Sequence, residues 1–107
     1  MSRIDRSKKP DPGVQQILDA LAPYEEKHAK AEIVAYRQSP HVIRVRIIDP
    51  DFRRLGRGAR ESRIWPLLER LPEEIMSDIT TLLLLTPDEA KRSFANSEFE
   101  DPVPTGI

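Results

Sequence analysis

A chain of 107 residues and 12.3 kDa has room for one small domain, and near that size about 60–70% of the unfolded surface can be buried, enough for a core without staples. Seventeen Lys/Arg against eighteen Asp/Glu give a formal net charge of -1, which excludes a polycation. The absence of cysteine excludes disulfides, thiolate metal sites and thiol nucleophiles, and apolar runs such as Leu82–Leu85 fall far short of the roughly 20 residues a membrane span needs.

Residues 1–10 are polar and basic, with Lys8 and Lys9 beside Pro10 and no apolar period. They read as a disordered N-terminal arm without the apolar stretch of a signal peptide, and the expected location is cytoplasmic. Asp11-Pro12 is a helix start, with the acid as N-cap and Pro in the first turn. Val14, Ile17, Leu18 and Leu21 follow at helical spacing, and Pro23 stops or kinks that helix. Residues 24–30 add a mostly solvated helical turn or two.

Residues 32–48 read as a β-hairpin punctuated at Ser39-Pro40. Its second arm alternates Ile43, Val45 and Ile47 with Arg44 and Arg46, the period of a half-buried strand. A loop rich in Arg and Gly follows. A helix is then expected from Ser62 as N-cap through Ile64, Leu67, Leu68 and Leu71, because Pro66 suits only a first turn. Residues 79–85 form a third strand. Thr86-Pro87-Asp88-Glu89 opens the last helix with a capping box, and that helix runs to about Phe94. The expected fold is α+β: a two-layer sandwich of α-β-β-α-β-α order, its three-stranded sheet covered by helices on one face. The domain spans 11–95, and residues 96–107 read as an acidic disordered tail.

Charge is segregated along the chain. Residues 44–63 hold seven arginines (Arg44, Arg46, Arg53, Arg54, Arg57, Arg60 and Arg63) and three acids, Asp49, Asp51 and Glu61. The block contains no lysine, and a planar guanidinium suits phosphate or carboxylate and keeps its charge when partly desolvated. Gly56 and Gly58 sit inside it, where glycine allows positive φ and close approach of an anion to backbone N–H groups. These nine residues form the candidate nucleic-acid or anion site. The Gly-x-Gly has neither the third glycine of a dinucleotide fingerprint nor the Lys of a P-loop.

Catalytic signatures are missing. His28, in a charged helical stretch, and His41, at the hairpin, are too far apart in pattern for a metal pair, and each reads as a surface residue. Ser39, Ser62, Ser77, Ser93 and Ser97 have no histidine at a nucleophile's spacing. Glu73-Glu74 and Asp88-Glu89 read as helix-dipole partners rather than acid/base pairs. Neither an enzyme nor a metal or cofactor is expected.

The run from His41 to Phe52 (His-Val-Ile-Arg-Val-Arg-Ile-Ile-Asp-Pro-Asp-Phe) resembles the second strand of BolA-like proteins and the Phe after it. Arg53-Arg54-Leu55-Gly56, Arg60-Glu61-Ser62-Arg63-Ile64-Trp65 and the strand leading into Thr86-Pro87-Asp88-Glu89 extend the likeness over roughly residues 12–92. The resemblance implies a fold similar to type II KH domains, contact with DNA or RNA, or partnership with a monothiol glutaredoxin around an iron–sulfur cluster. Where the family has Arg-His-Arg, this chain has Glu61-Ser62-Arg63, and Asp78 falls near the family's cluster-ligating His. A cluster of its own is therefore not expected. The leading reading is a non-enzymatic module contacting RNA or DNA. The alternative is an adaptor for an acidic or glutaredoxin-like protein.

Overall fold

The computed structural model describes residues 2–93 together with Asn96 and Phe99. Its elements are β1 (Ser2–Asp5), α1 (Pro12–Ala20), α2 (Ala22–Lys27), β2 (Glu32–Ser39), β3 (Val42–Ile48), a 3-10 turn (Pro50–Phe52), α3 (Arg57–Leu68), α4 (Glu73–Asp78), β4 (Ile79–Leu85) and α5 (Pro87–Arg92). The strands form one mixed sheet in the order β1-β2-β3-β4, with β1 parallel to β2, β2 antiparallel to β3, and β3 parallel to β4. The fold is α+β. No helix among the described residues is long and apolar enough to cross a membrane.

The sheet has four strands, not three, and the element order changes accordingly. Residues 2–5, expected to be part of a disordered arm, pair with β2 from Ser2↔Glu32 to Asp5↔Ala35. Polar side chains hold this strand in place. Arg3 donates to the carbonyl of Leu18 at 3.1 Å and its Nε lies 3.0 Å from Glu25 Oε1. Asp5 accepts from the N–H groups of Ser7 and Asp11. A parallel edge strand is made by backbone ladder bonds, which carry no hydrophobic period for a sequence to display.

One face of the sheet carries Ile33, Ala35, Ile43, Val45, Ile47 and Leu84, packed against Val14, Ile17, Leu18 and Leu21 of the first helical stretch and Ile64 and Leu68 of α3. Asp11 caps α1 by accepting from Val14 N–H at 3.0 Å. Arg37 fixes that corner: its Nε reaches Asp11 at 2.6 Å, and its Nη1 reaches the Pro40 carbonyl at 2.7 Å and Asp78 at 3.2 Å. Burial works to raise the Asp11 pKa, but the Arg37 hydrogen bond and the N–H of Val14 outweigh it and hold the carboxyl below its ordinary value.

Local expectations meet the structure unevenly. The stretch after Pro23 is exposed at Glu26, Lys27, Ala29 and Lys30, as expected, but Tyr24 and Glu25 are buried. α3 starts at Arg57 rather than after Ser62, which instead donates to the Ala59 carbonyl, and Pro66 lies inside the helix. Pro66 has no N–H to return to the Ser62 carbonyl, and both residues are exposed, so water can reach the carbonyl left over. The last helix ends at Arg92, while Phe94 lies outside the described residues.

The opposite face of the sheet is also covered. Val34 and Tyr36 of β2 and Leu83 of β4 pack with Phe99, whose ring meets Tyr36 edge-on at 5.3 Å. Most of the expected tail of residues 96–107 lies outside the described residues, but Asn96 and Phe99 are buried. Phe99→Ala should cost about 3 kcal/mol, because a buried aromatic is removed from a small cluster that cannot collapse onto itself. Ile4→Ala, at the exposed edge-strand position, should cost under about 1 kcal/mol. Urea unfolding of the two variants checks the contrast.

Candidate nucleic-acid interface

The seven arginines of the basic block do not gather on one surface. β3 points Arg44 and Arg46 to the face opposite the α1–α3 core. Arg46 is 2% exposed: its Nη1 donates to Asn96 Oδ1 at 2.7 Å, and its guanidinium lies 5.7 Å from the Phe99 ring centre. Arg44 is half-buried, with Nη1 3.5 Å from the Tyr36 hydroxyl. Both leave the candidate set, because the alternation that turns Ile43, Val45 and Ile47 toward the helices turns these two to the face where Tyr36 and Phe99 lie.

Arg60 also leaves it. Its Nε donates to the Leu55 carbonyl at 2.9 Å, Nη1 to the Leu84 carbonyl at 3.0 Å, and the two Nη atoms to the two Glu89 oxygens at 2.6 and 3.1 Å. The guanidinium also stands 5.6 Å from the Phe52 ring centre. Glu89 is simultaneously the capping-box acid of α5, bonded to the Thr86 backbone. Arg60 therefore ties the loop before α3 to the end of β4 and the start of α5.

Arg53, Arg54, Arg57 and Arg63 remain exposed. Arg57 is 93% exposed and its Nε lies 4.0 Å from Glu61, a contact too long and too wet to quench its charge. Arg63 projects from another flank of α3 and lines a cavity with Tyr24, Lys27 and His28. Arg53, Arg54 and Arg57 stand within a few residues of the start of α3. Gly56 is its N-cap without a side-chain cap, and no acid occupies the first turn. The first helical N–H to bond back is that of Arg60, to the Gly56 carbonyl, so those of Arg57, Gly58 and Ala59 have no carbonyl of this helix. An open groove of about 570 Å³ runs alongside, lined by Leu55, Arg57, Leu82 and Leu84 among others.

The positive φ expected of the two glycines is absent. Neither Gly56 nor Gly58 has positive φ, and a Cβ built on either would meet nothing within 4 Å. The residue that takes the left-handed conformation is Arg54, at φ 70°. Its strain turns the chain out of the 3-10 turn, with Leu55 N–H closing on the Phe52 carbonyl at 3.0 Å.

The histidines separate. His41 is exposed, as expected, with Nδ1 3.7 Å from Asp78. His28 is not the surface residue expected: it stacks on Tyr24 and its Nδ1 lies 2.7 Å from Asp51. The Asp49-x-Asp51 spacing was visible in the sequence, but nothing in it links that turn to a histidine more than twenty residues upstream. Comparison with protein-family models, curated proteins and solved structures gives no match.

Two outcomes check this geometry. Arg54→Gly should be more stable than Arg54→Ile by about 1–2 kcal/mol in urea unfolding, because only glycine enters the left-handed region without strain. The Arg60 hydrogen bond, helped by the Thr86 N–H, holds the Glu89 carboxyl at about 2 against an ordinary 4.5. The depressed value makes its stabilisation complete above pH 4.5 and lost as pH falls toward 2. Glu89→Gln should therefore be less stable than the parent at neutral pH, the gap closing across that window.

Proposed function

We propose that this chain is a non-enzymatic binding module that takes the phosphate backbone of single-stranded nucleic acid at the start of α3. The carrying observation is the uncapped helix N-terminus at Gly56, with exposed Arg53, Arg54 and Arg57 around it and no acid in its first turn. Free N–H groups and the positive end of the helix dipole favour an anion, and guanidinium forks can bind it bidentately. The missing Cβ at Gly56 and Gly58 leaves the backbone open to a phosphate oxygen. The neighbouring groove, with Leu82 and Leu84 in its lining, offers apolar contact to an unstacked base, which favours single strands over duplex. The likeness to BolA-like proteins belongs to the same reading. The nine-residue set read from sequence is narrowed here to Arg53, Arg54, Gly56, Arg57 and Gly58, with Arg63 on the flank.

Fluorescence anisotropy with labelled RNA and DNA strands of roughly 12 nucleotides tests this. With three phosphates neutralised, affinity should fall about 20-fold between about 50 and 200 mM salt. Changing Arg53, Arg54 and Arg57 together to Ala should abolish binding, and Arg70→Ala, in the turn that follows α3, should leave it unchanged. Absence of binding at low salt, or equal binding by the triple variant, overturns the reading.

A further inference from the structure

A second group of polar side chains lies outside the proposed phosphate loop. His28 caps the C-terminal end of α2, and Asp49 and Asp51 flank Pro50 in the turn after β3. The His28 Nδ1 lies 3.5 Å from Asp49 Oδ2 and 2.7 Å from Asp51 Oδ2. One ligand atom from each of the three residues falls within 4.8 Å of the others. We propose that His28, Asp49 and Asp51 form a binding site for a divalent transition-metal ion of the Zn²⁺ or Mn²⁺ class, with water completing its coordination.

Charge is the first argument. Asp49 is fully buried and Asp51 stands beside it, and the side chain facing both carboxylates is the His28 imidazole. A buried carboxylate needs a countercharge, and a divalent cation between two carboxylates supplies it. Arg63 and Lys27 line the adjoining cavity, but neither makes an ion pair with either acid among the described residues.

Positioning is the second. The His28 ring is stacked on Tyr24 with centroids 4.1 Å apart and planes 15° apart, and its backbone N–H is bonded to the Tyr24 and Glu25 carbonyls. The Tyr24 hydroxyl donates to Asp49 Oδ2, and the Asp51 N–H donates to Asp49 Oδ1 at 2.9 Å. Such outer contacts orient metal ligands. At bond lengths near 2.1 Å, neighbouring donors sit about 3–3.4 Å apart, so the 3.5 Å pair already fits. The 2.7 Å pair must open by a few tenths of an ångström, which Asp51, 60% exposed, is free to do. A cavity of about 290 Å³, lined by Tyr24 and His28 among others, lies on the His28 side of the cluster. One imidazole nitrogen with carboxylate oxygens selects Zn²⁺ or Mn²⁺ over Mg²⁺ or Ca²⁺, which prefer oxygen throughout.

The test is a calorimetric titration of the full chain with ZnCl2 and, separately, MnCl2, paired with thermal melts and NMR of the imidazole signals. One ion per chain should bind, the His28 ring should shift while the His41 ring stays, and Tm should rise by roughly 10 °C at a hundredfold excess over Kd. Asp51→Asn changes an exposed side chain, so the variant should keep the parent's metal-free Tm and lose at least tenfold in affinity. His41→Gln should bind as the parent does. No saturable binding, undiminished binding by Asp51→Asn, or loss of binding in His41→Gln overturns the proposal. None of these readouts involves nucleic acid, so the phosphate loop stands or falls separately.

Discussion

A sheet with apolar side chains on both faces must be covered twice, and the rest of this structure follows from that constraint. Val34, Tyr36 and Leu83 cannot share the helical core, because β-strand geometry points them away from Ile33, Ala35, Val45 and Leu84. Phe99 closes over them. Because Arg46 lies on that same face, it is buried with them, and its charge meets the Asn96 side-chain Oδ1 and the Phe99 ring. A fully solvated guanidinium there would leave the second apolar cluster wet.

The arginines consequently divide by task rather than by position in the chain. Arg46 belongs to the covered face. Arg60 spends its donors on two carbonyls and Glu89, holding together three segments that meet at the end of β4. Arg37, outside the basic block, does comparable work at the other end, joining Asp11, Pro40 and Asp78. What remains for a ligand is the short run before and into α3, and its local charge is therefore much smaller than the seven-arginine count. A modest basic spot on a chain of pI about 6.1 suits salt-sensitive backbone contact, not a dedicated high-affinity duplex reader.

The turn between β3 and α3 places a buried acid beside the core. Asp49 caps the 3-10 turn, receives the Tyr24 hydroxyl and faces His28, while a few residues later Arg54 adopts its left-handed conformation. A buried acid and a strained residue so close together are costly for stability alone, and both binding readings lie on the two sides of this turn.

Local signals were legible in the sequence wherever one residue acts on its near neighbours. The Asp11 cap with the Val14–Ile17–Leu18 stripe, the alternation of Ile43, Val45 and Ile47, and the Thr86–Glu89 capping box all recur in the structure. Each depends on helical or strand periodicity, or on a side chain reaching three residues along. Tertiary structure alone decided that residues 2–5 become a strand, because their partners lie about thirty residues away and the ladder uses backbone atoms common to every residue. It alone decided which arginines face solvent, since exposure depends on what packs above a side chain, as Phe99 does above Arg46, rather than on the residue type. It also brought His28 to Asp49 and Asp51, a contact set by how α2 docks against the end of β3 and invisible to any spacing rule.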